Sequence, residues 1–210
     1  MPDHHLPTAA SLRRLTLLSA AAFATLALPR EAVLAQPENS AIIGGQDHQG
    51  SAGNIGVNAA AGNNNQQANG AAIALGGTGI ATGVLIQRLD ETSRGRGGRV
   101  TSLIEGGAFA NSSGRIAVNV ASGSDNQQAN LALIALGSEG QVATETALSQ
   151  TRASQQPIGE LAETAPPAAV TGISPGAFEG SSGLVQVNLV GGERNTSANV
   201  FALSIQGGAN

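Results

Sequence analysis

The chain has 210 residues and a formal net charge of −4. It is 41% hydrophobic but only 2% aromatic and 11% charged, with 29 Gly and no Cys. This excludes a disulfide scaffold. It also argues against an enzyme, because active sites gather ionisable groups in a cleft. Every Lys/Arg-type cation is Arg, so a Walker-type phosphate loop, which needs Lys, is excluded as well. The hydrophobic content is too high, and the net charge too low, for the usual composition of disordered chains.

In chain order, residues 1–35 read as a secretory signal. Arg13 and Arg14 form a positive start, and Leu15 to Leu28 an apolar run too short to span a bilayer. Val33-Leu34-Ala35 offers small residues for cleavage, and Sec export fits better than Tat because Thr16 stands where the twin-Arg motif wants a large apolar residue. After cleavage no membrane span remains. A short segment, 36–40, precedes the first of three similar units, 41–77, 101–138 and 171–210, separated by 78–100 and 139–170.

The units align without gaps. Ile43, Ile104 and Ile173 open them, and Val57, Val118 and Val187 follow. Asn58, Asn119 and Asn188 match, as do Asn65, Asn126, Asn195 and Asn69, Asn130, Asn199. Within each unit, apolar residues alternate with Asn, Gly and Ala around Val57, Val118 and Val187, which is strand periodicity. Gly62, Gly123 and Gly192 then mark a turn. A second strand carries Ile73, Ile134 and Leu203 on the face expected to enter the core, together with Leu75, Leu136 and Ile205. A shorter extended piece at Ile43, Ile104 and Ile173 precedes both.

A unit of about 37 residues offers few large aliphatic side chains. Burying them contributes far less than the roughly 37–74 kcal/mol that backbone ordering costs. The units must therefore stack, as repeats do. The expected fold is all-β: a three-rung β-solenoid or cross-β stack of such repeats, joined by irregular linkers. Stacking about 4.8 Å apart would let like amides bond to one another, since each has a donor and an acceptor. The expected ladder is Asn58, Asn119, Asn188; Asn65, Asn126, Asn195; Asn69, Asn130, Asn199; and the pairs Gln66-Gln67 and Gln127-Gln128. Charge is concentrated in the linkers, the first with Arg88, Arg94, Arg96 and Arg99, the second with Glu139, Glu145, Glu160 and Glu163.

The pattern GNIGVNAAAGNNNQQAN (Gly53–Asn69), repeated as GRIAVNVASGSDNQQAN (Gly114–Asn130), resembles the Fap-type functional amyloid subunits of bacterial biofilms. So do Gly107-Ala108-Phe109 and Gly176-Ala177-Phe178, and the layout of leader, three imperfect repeats and two variable linkers. The resemblance implies secretion from a Gram-negative cell through an outer-membrane pore. It further implies self-assembly into extracellular cross-β fibres, with a second homologous subunit as a partner and no catalytic set. Three departures stand out. The Cys-x-x-Cys pair common in the family is missing, Thr196-Ser197 replaces the Gln pair, and His48 stands where later units have Phe109 and Phe178.

Other chemistry is thinly represented. His48 has no second ligand at metal spacing, and His4 and His5 belong to the leader, so neither a metal nor any cofactor is expected. The Arg94-Gly-Arg96-Gly-Gly-Arg99 run lacks interleaved aromatics and reads as a solvated linker rather than a specific nucleic-acid site. The alternative to a fibre subunit is a soluble secreted β-solenoid adhesin that binds a surface or glycan without polymerising.

Overall fold

The computed structural model describes residues 38–89, 98–152 and 168–207. The chain divides into two units, Met1–Leu34 and Ala35–Asn210, and all the described residues belong to the second. The secretory leader 1–35 lies outside them, as do Arg94 and Arg96 of the first linker and Glu160, Glu163 and Pro166-Pro167 of the second. No helix of the described residues is long and apolar enough to cross a membrane.

Alternation of β-branched residues with Asn, Ala and Gly produces strands throughout. The first repeat forms β1 (Glu38–Ile43), β2 (Ala52–Ala61) and β3 (Gln66–Leu89). The second forms β4 (Arg99–Ile104), β5 (Ser113–Ser122) and β6 (Gln127–Arg152). The third forms β7 (Ala169–Ile173), β8 (Ser182–Gly191) and β9 (Thr196–Gln206). The fold is all-β. Its three sheets are parallel, in the orders β1-β4-β7, β2-β5-β8 and β3-β6-β9, so each repeat supplies one strand to each sheet and the second repeat supplies the central ones. Equivalent residues are direct partners: Ile43 with Ile104 and Ile173, Val57 with Val118 and Val187, and Ile73 with Ile134 and Leu203.

Close stacking constrains the turns. Gly62, Gly123 and Gly192 all have positive φ near 104–113°. A Cβ on Gly62 would overlap the carbonyl of Gly123, and one on Gly123 that of Gly192. Only Gly satisfies both conditions at once.

Two apolar clusters hold the sheets together. The first lies between the β1-β4-β7 and β2-β5-β8 sheets and centres on Ile43, Ile104, Phe109, Ile116, Val118 and Val120, with Val57 and Val187 packed against it. The second, around Leu131, Leu133 and Ala135, packs with Ala72, Ala74, Ala81 and Ala143.

That second cluster corrects two expectations. The linkers are not irregular over 78–89 and 139–152. β3 and β6 continue through them as paired strands, with register shifts between Gly76 and Thr78 and between Gly83 and Val84. This second half of β3 folds back over the first: Gln66 Nε2 donates to the carbonyl of Arg88 at 2.6 Å, and Gln87 Nε2 to that of Gln128 at 3.0 Å. The fold-back covers the face bearing Leu131, Leu133 and Ala135. The opposite face, expected to be core, is left open beyond the start of β2: Ile73 is 58% exposed, and Ile134 and Leu203 are only half-buried. Ile173, in the outer strand β7, is exposed as well, whereas Ile43, in the outer strand β1, is buried.

Candidate functional site

The space between the β2-β5-β8 and β3-β6-β9 sheets is filled by amides. Across it, Asn69 Nδ2 donates to Asn58 Oδ1 at 2.9 Å and to the Val57 carbonyl at 3.2 Å. Asn130 and Asn199 repeat this with Asn119 and Val118 and with Asn188 and Val187. Each such Asn therefore closes the gap between two sheets within its own repeat.

The same side chains also join repeat to repeat. Asn119 Nδ2 lies 2.9 Å from Asn58 Oδ1, and Asn188 Nδ2 2.9 Å from Asn119 Oδ1. Each of these donors meets a further pair of acceptors in the preceding repeat: Ala68 O and Asn69 Oδ1 for Asn119, and Ala129 O and Asn130 Oδ1 for Asn188. A second row runs Asn195 to Asn126 to Asn65, each at 3.0 Å. A third runs Asn199 to Asn130 to Asn69 at 2.9 and 3.0 Å. Asn119, Asn126 and Asn130 are fully buried. A buried amide without partners would cost about 1–3 kcal/mol, and in these rows each is satisfied by its own kind.

The two Gln of each pair face opposite ways and do different things. Gln67 and Gln128 turn toward the second sheet, donating to Ala59 O at 2.9 Å and Val120 O at 3.0 Å. Gln66 and Gln127 turn toward the fold-back strands, reaching Arg88 O and Thr151 O. The third repeat has no fold-back strand among the described residues. Among the described residues, Thr196, the partner of Gln127 in β9, has no fold-back carbonyl to reach. Ser197 donates to Asn188 Oδ1 at 2.6 Å.

Features outside the amide pattern also stack. His48, Phe109 and Phe178 form a column, with centroids 5.3 and 5.1 Å apart and ring planes within 8° and 4° of parallel. His48 thus occupies the ring position that Phe109 and Phe178 hold in the later repeats, and no cluster of metal-binding side chains occurs among the described residues. In the middle repeat Arg115 stands between Asn54 and Gln186, bonding to Asn54 Oδ1 at 3.1 Å, Gln186 Oε1 at 3.3 Å and the Asn130 carbonyl at 3.4 Å. Its Nε is buried without a partner, and burial pushes the guanidinium pKa down from its ordinary value. The repeat alignment contained Arg115, but nothing in its spacing announced a buried cation. The fold-back bonds of Gln87 and Gln150, joined to each other at 2.6 Å, had one available signal. Residues 80–86 are rich in β-branched and aliphatic residues, as strands are, although they lie in the linker.

Rows of identical amides, in register over three parallel strands, are the arrangement found in cross-β assemblies. The model of the functional amyloid protein FapB/FapC family matches residues 21–206. The chain belongs to that family. It is 41% identical over 121 residues to the functional amyloid subunit FapC of Pseudomonas aeruginosa, an alignment covering 54% of this chain and 35% of that protein. The chain thus matches about a third of the length of that FapC relative. No solved structure matches. The FapB/FapC family is one of amyloid proteins, not of enzymes.

Proposed function

We propose that this member of the FapB/FapC family is a secreted structural subunit that self-assembles into extracellular amyloid fibres of a biofilm matrix. Its three repeats act as successive rungs of a β-solenoid, and the third repeat of one copy pairs with the first repeat of the next. The observation that carries the reading is the pair of open sides. β1, β2 and β3 are outer strands on one side of the three sheets, and β7, β8 and β9 on the other. Soluble proteins normally blunt such edges.

The two sides also match in detail. Asn119 and Asn188 each donate to an Asn side chain, a carbonyl and a second Asn side chain of the preceding repeat. At the outer side of the third repeat, the next such trio is Asn188, Ala198 and Asn199. It borders an open cleft between β8 and β9 lined by Gln186, Val187, Ala198 and Asn199. Asn58 of a following copy would meet Ala198 O and Asn199 Oδ1 there, and would share Asn188 Oδ1 with Ser197 and Asn199. The ring column extends in the same way, with His48 of the following copy over Phe178.

In this reading the leader 1–35 directs export. Release through an outer-membrane pore of a Gram-negative cell, and co-assembly with a second homologous subunit, complete the pathway; the family membership supports both. The repeats, 41–77, 101–138 and 171–210, are the assembling units. The test is seeded assembly of the chain lacking its leader. The expected product is thioflavin-positive fibres with a meridional reflection at about 4.7–4.8 Å. Monomers that persist at high concentration in the presence of seeds overturn the proposal in favour of a non-polymerising adhesin.

A further inference from the structure

Two rows of aliphatic side chains lie on the outside of the β3-β6-β9 sheet: Ile73–Ile134–Leu203 and Leu75–Leu136–Ile205. The amides of β2 reach only as far as Asn69 and its equivalents, and Arg115 and Gln186 end at the carbonyls of Asn130, Leu131 and Asn199. Among the described residues no strand faces the chain beyond that point. Leu75 is 71% and Ile205 49% exposed. All three repeats place two large aliphatics at the same address, and no charged residue shares the rows. Such a patch marks a contact surface.

A second apolar surface, formed by Ile80, Val84 and Ile86 with Val142, lies on the outer face of the fold-back strands. It has no third strand among the described residues, so in a stack it would be interrupted once per chain. The first surface has all three strands.

We propose that these two rows form a dry seam between two stacks of this chain lying side by side. The inference rests on the assembly reading above. The rows advance by one strand spacing, about 4.8 Å, along the direction in which repeats stack. Only a partner with the same spacing keeps aliphatic opposite aliphatic over any length, and a second stack of this chain has that spacing by construction. The available area points the same way. Six partly exposed side chains supply on the order of a few hundred Å² per chain, below the roughly 800 Å² per partner of a stable complex. Free chains therefore do not pair through the seam, whereas stacked chains add their contributions.

Mass per length of fibres, measured by dark-field scanning transmission electron microscopy, tests the seam. Fibres of the chain lacking its leader contain two chains per axial rise of one chain. Leu75→Lys and the milder Leu75→Thr halve that value and still elongate from seeds with thioflavin binding. Ile86→Lys, which alters the other exposed apolar face, leaves it at two. One chain per rise in the unsubstituted fibre overturns the seam, as does an unchanged value in both Leu75 variants or a halved value in Ile86→Lys. Loss of fibres in both Leu75 variants overturns it too, because the rows would then act within a stack. Single-stack fibres that bind phosphatidylcholine vesicles in a Leu75-dependent way reassign the rows to a lipid surface. Absence of any fibres from the unsubstituted chain instead defeats the assembly reading on which the seam stands.

Discussion

The middle repeat and the outer repeats share a sequence pattern but not an environment. Along β5, every residue from Arg115 to Ser122 is buried, whereas along β2 half-buried and exposed residues alternate. Asn119 and Val118 are fully inaccessible, while their partners Asn58 and Val57 are exposed and half-buried. Asn58 and Asn119 are the same amino acid in the same strand position, so the difference comes from the number of neighbouring strands. Repeat burial here is a property of the neighbours, and a copy added on either side would convert an outer repeat into a middle one.

The comparison can be broken by paired substitutions in the soluble chain, read by urea denaturation. The largest contrast is expected at the rings. Phe109 is sandwiched between His48 and Phe178 and fully buried, so Phe109→Ala costs about 4 kcal/mol, within the range for buried Phe. Phe178, covered on one side, loses about half as much. Equal losses would show that the column does not set the packing.

Asparagine rows come next. Asn119→Asp places a charge among buried amides and costs about 3 kcal/mol, as an uncompensated buried charge does. Asn58→Asp, at an exposed position, costs about 1 kcal/mol or less in the soluble chain. Both slow seeded elongation, because in a stack both positions face their own kind. Unchanged elongation in both variants would refute the role of the rows in assembly, and equal stability losses would erase the distinction between middle and outer repeats.

The smallest effect is of opposite sign. Arg115 is paired in register with Asn54 and Leu184, bonds diagonally to Gln186, and its Nε lacks a partner. Arg115→Gln keeps an amide beside Asn54 and Gln186 without a buried cation and raises stability by about 1 kcal/mol. A loss of stability would mean that the three hydrogen bonds of the guanidinium outweigh its desolvation.

Much of this arrangement was readable from residue spacing. Gap-free alignment of Asn58, Asn119 and Asn188 sufficed to predict their register, because only stacked strands make equal offsets useful. Two things were not readable. The face of Ile73, Ile134 and Leu203 depends on where β2 stops relative to β3, a three-dimensional offset that alternation does not encode. The fold-back of β3 and β6 was hidden because the linkers share little sequence and carry register shifts that break a simple alignment. The Gln pair was recognisable as a motif. That one member serves the neighbouring sheet and the other the fold-back could not be read without knowing that the fold-back exists.

The amide rows have an arrow. From Asn188 to Asn119 to Asn58, from Asn199 to Asn130 to Asn69 and from Asn195 to Asn126 to Asn65, the nitrogen always belongs to the later repeat. Gln67, which donates forward to Gln128, runs against it. Copies joined end on inherit that arrow. A filament of the proposed kind would have a front and a back with different chemistry: in the Asn58 and Asn69 rows the tip bearing the first repeat would offer NH₂ groups, and in the Asn199 and Asn195 rows the tip bearing the third would offer side-chain oxygens. Elongation of such a filament is expected to proceed at unequal speeds from the two tips, and a blocker shaped for one to leave the other growing.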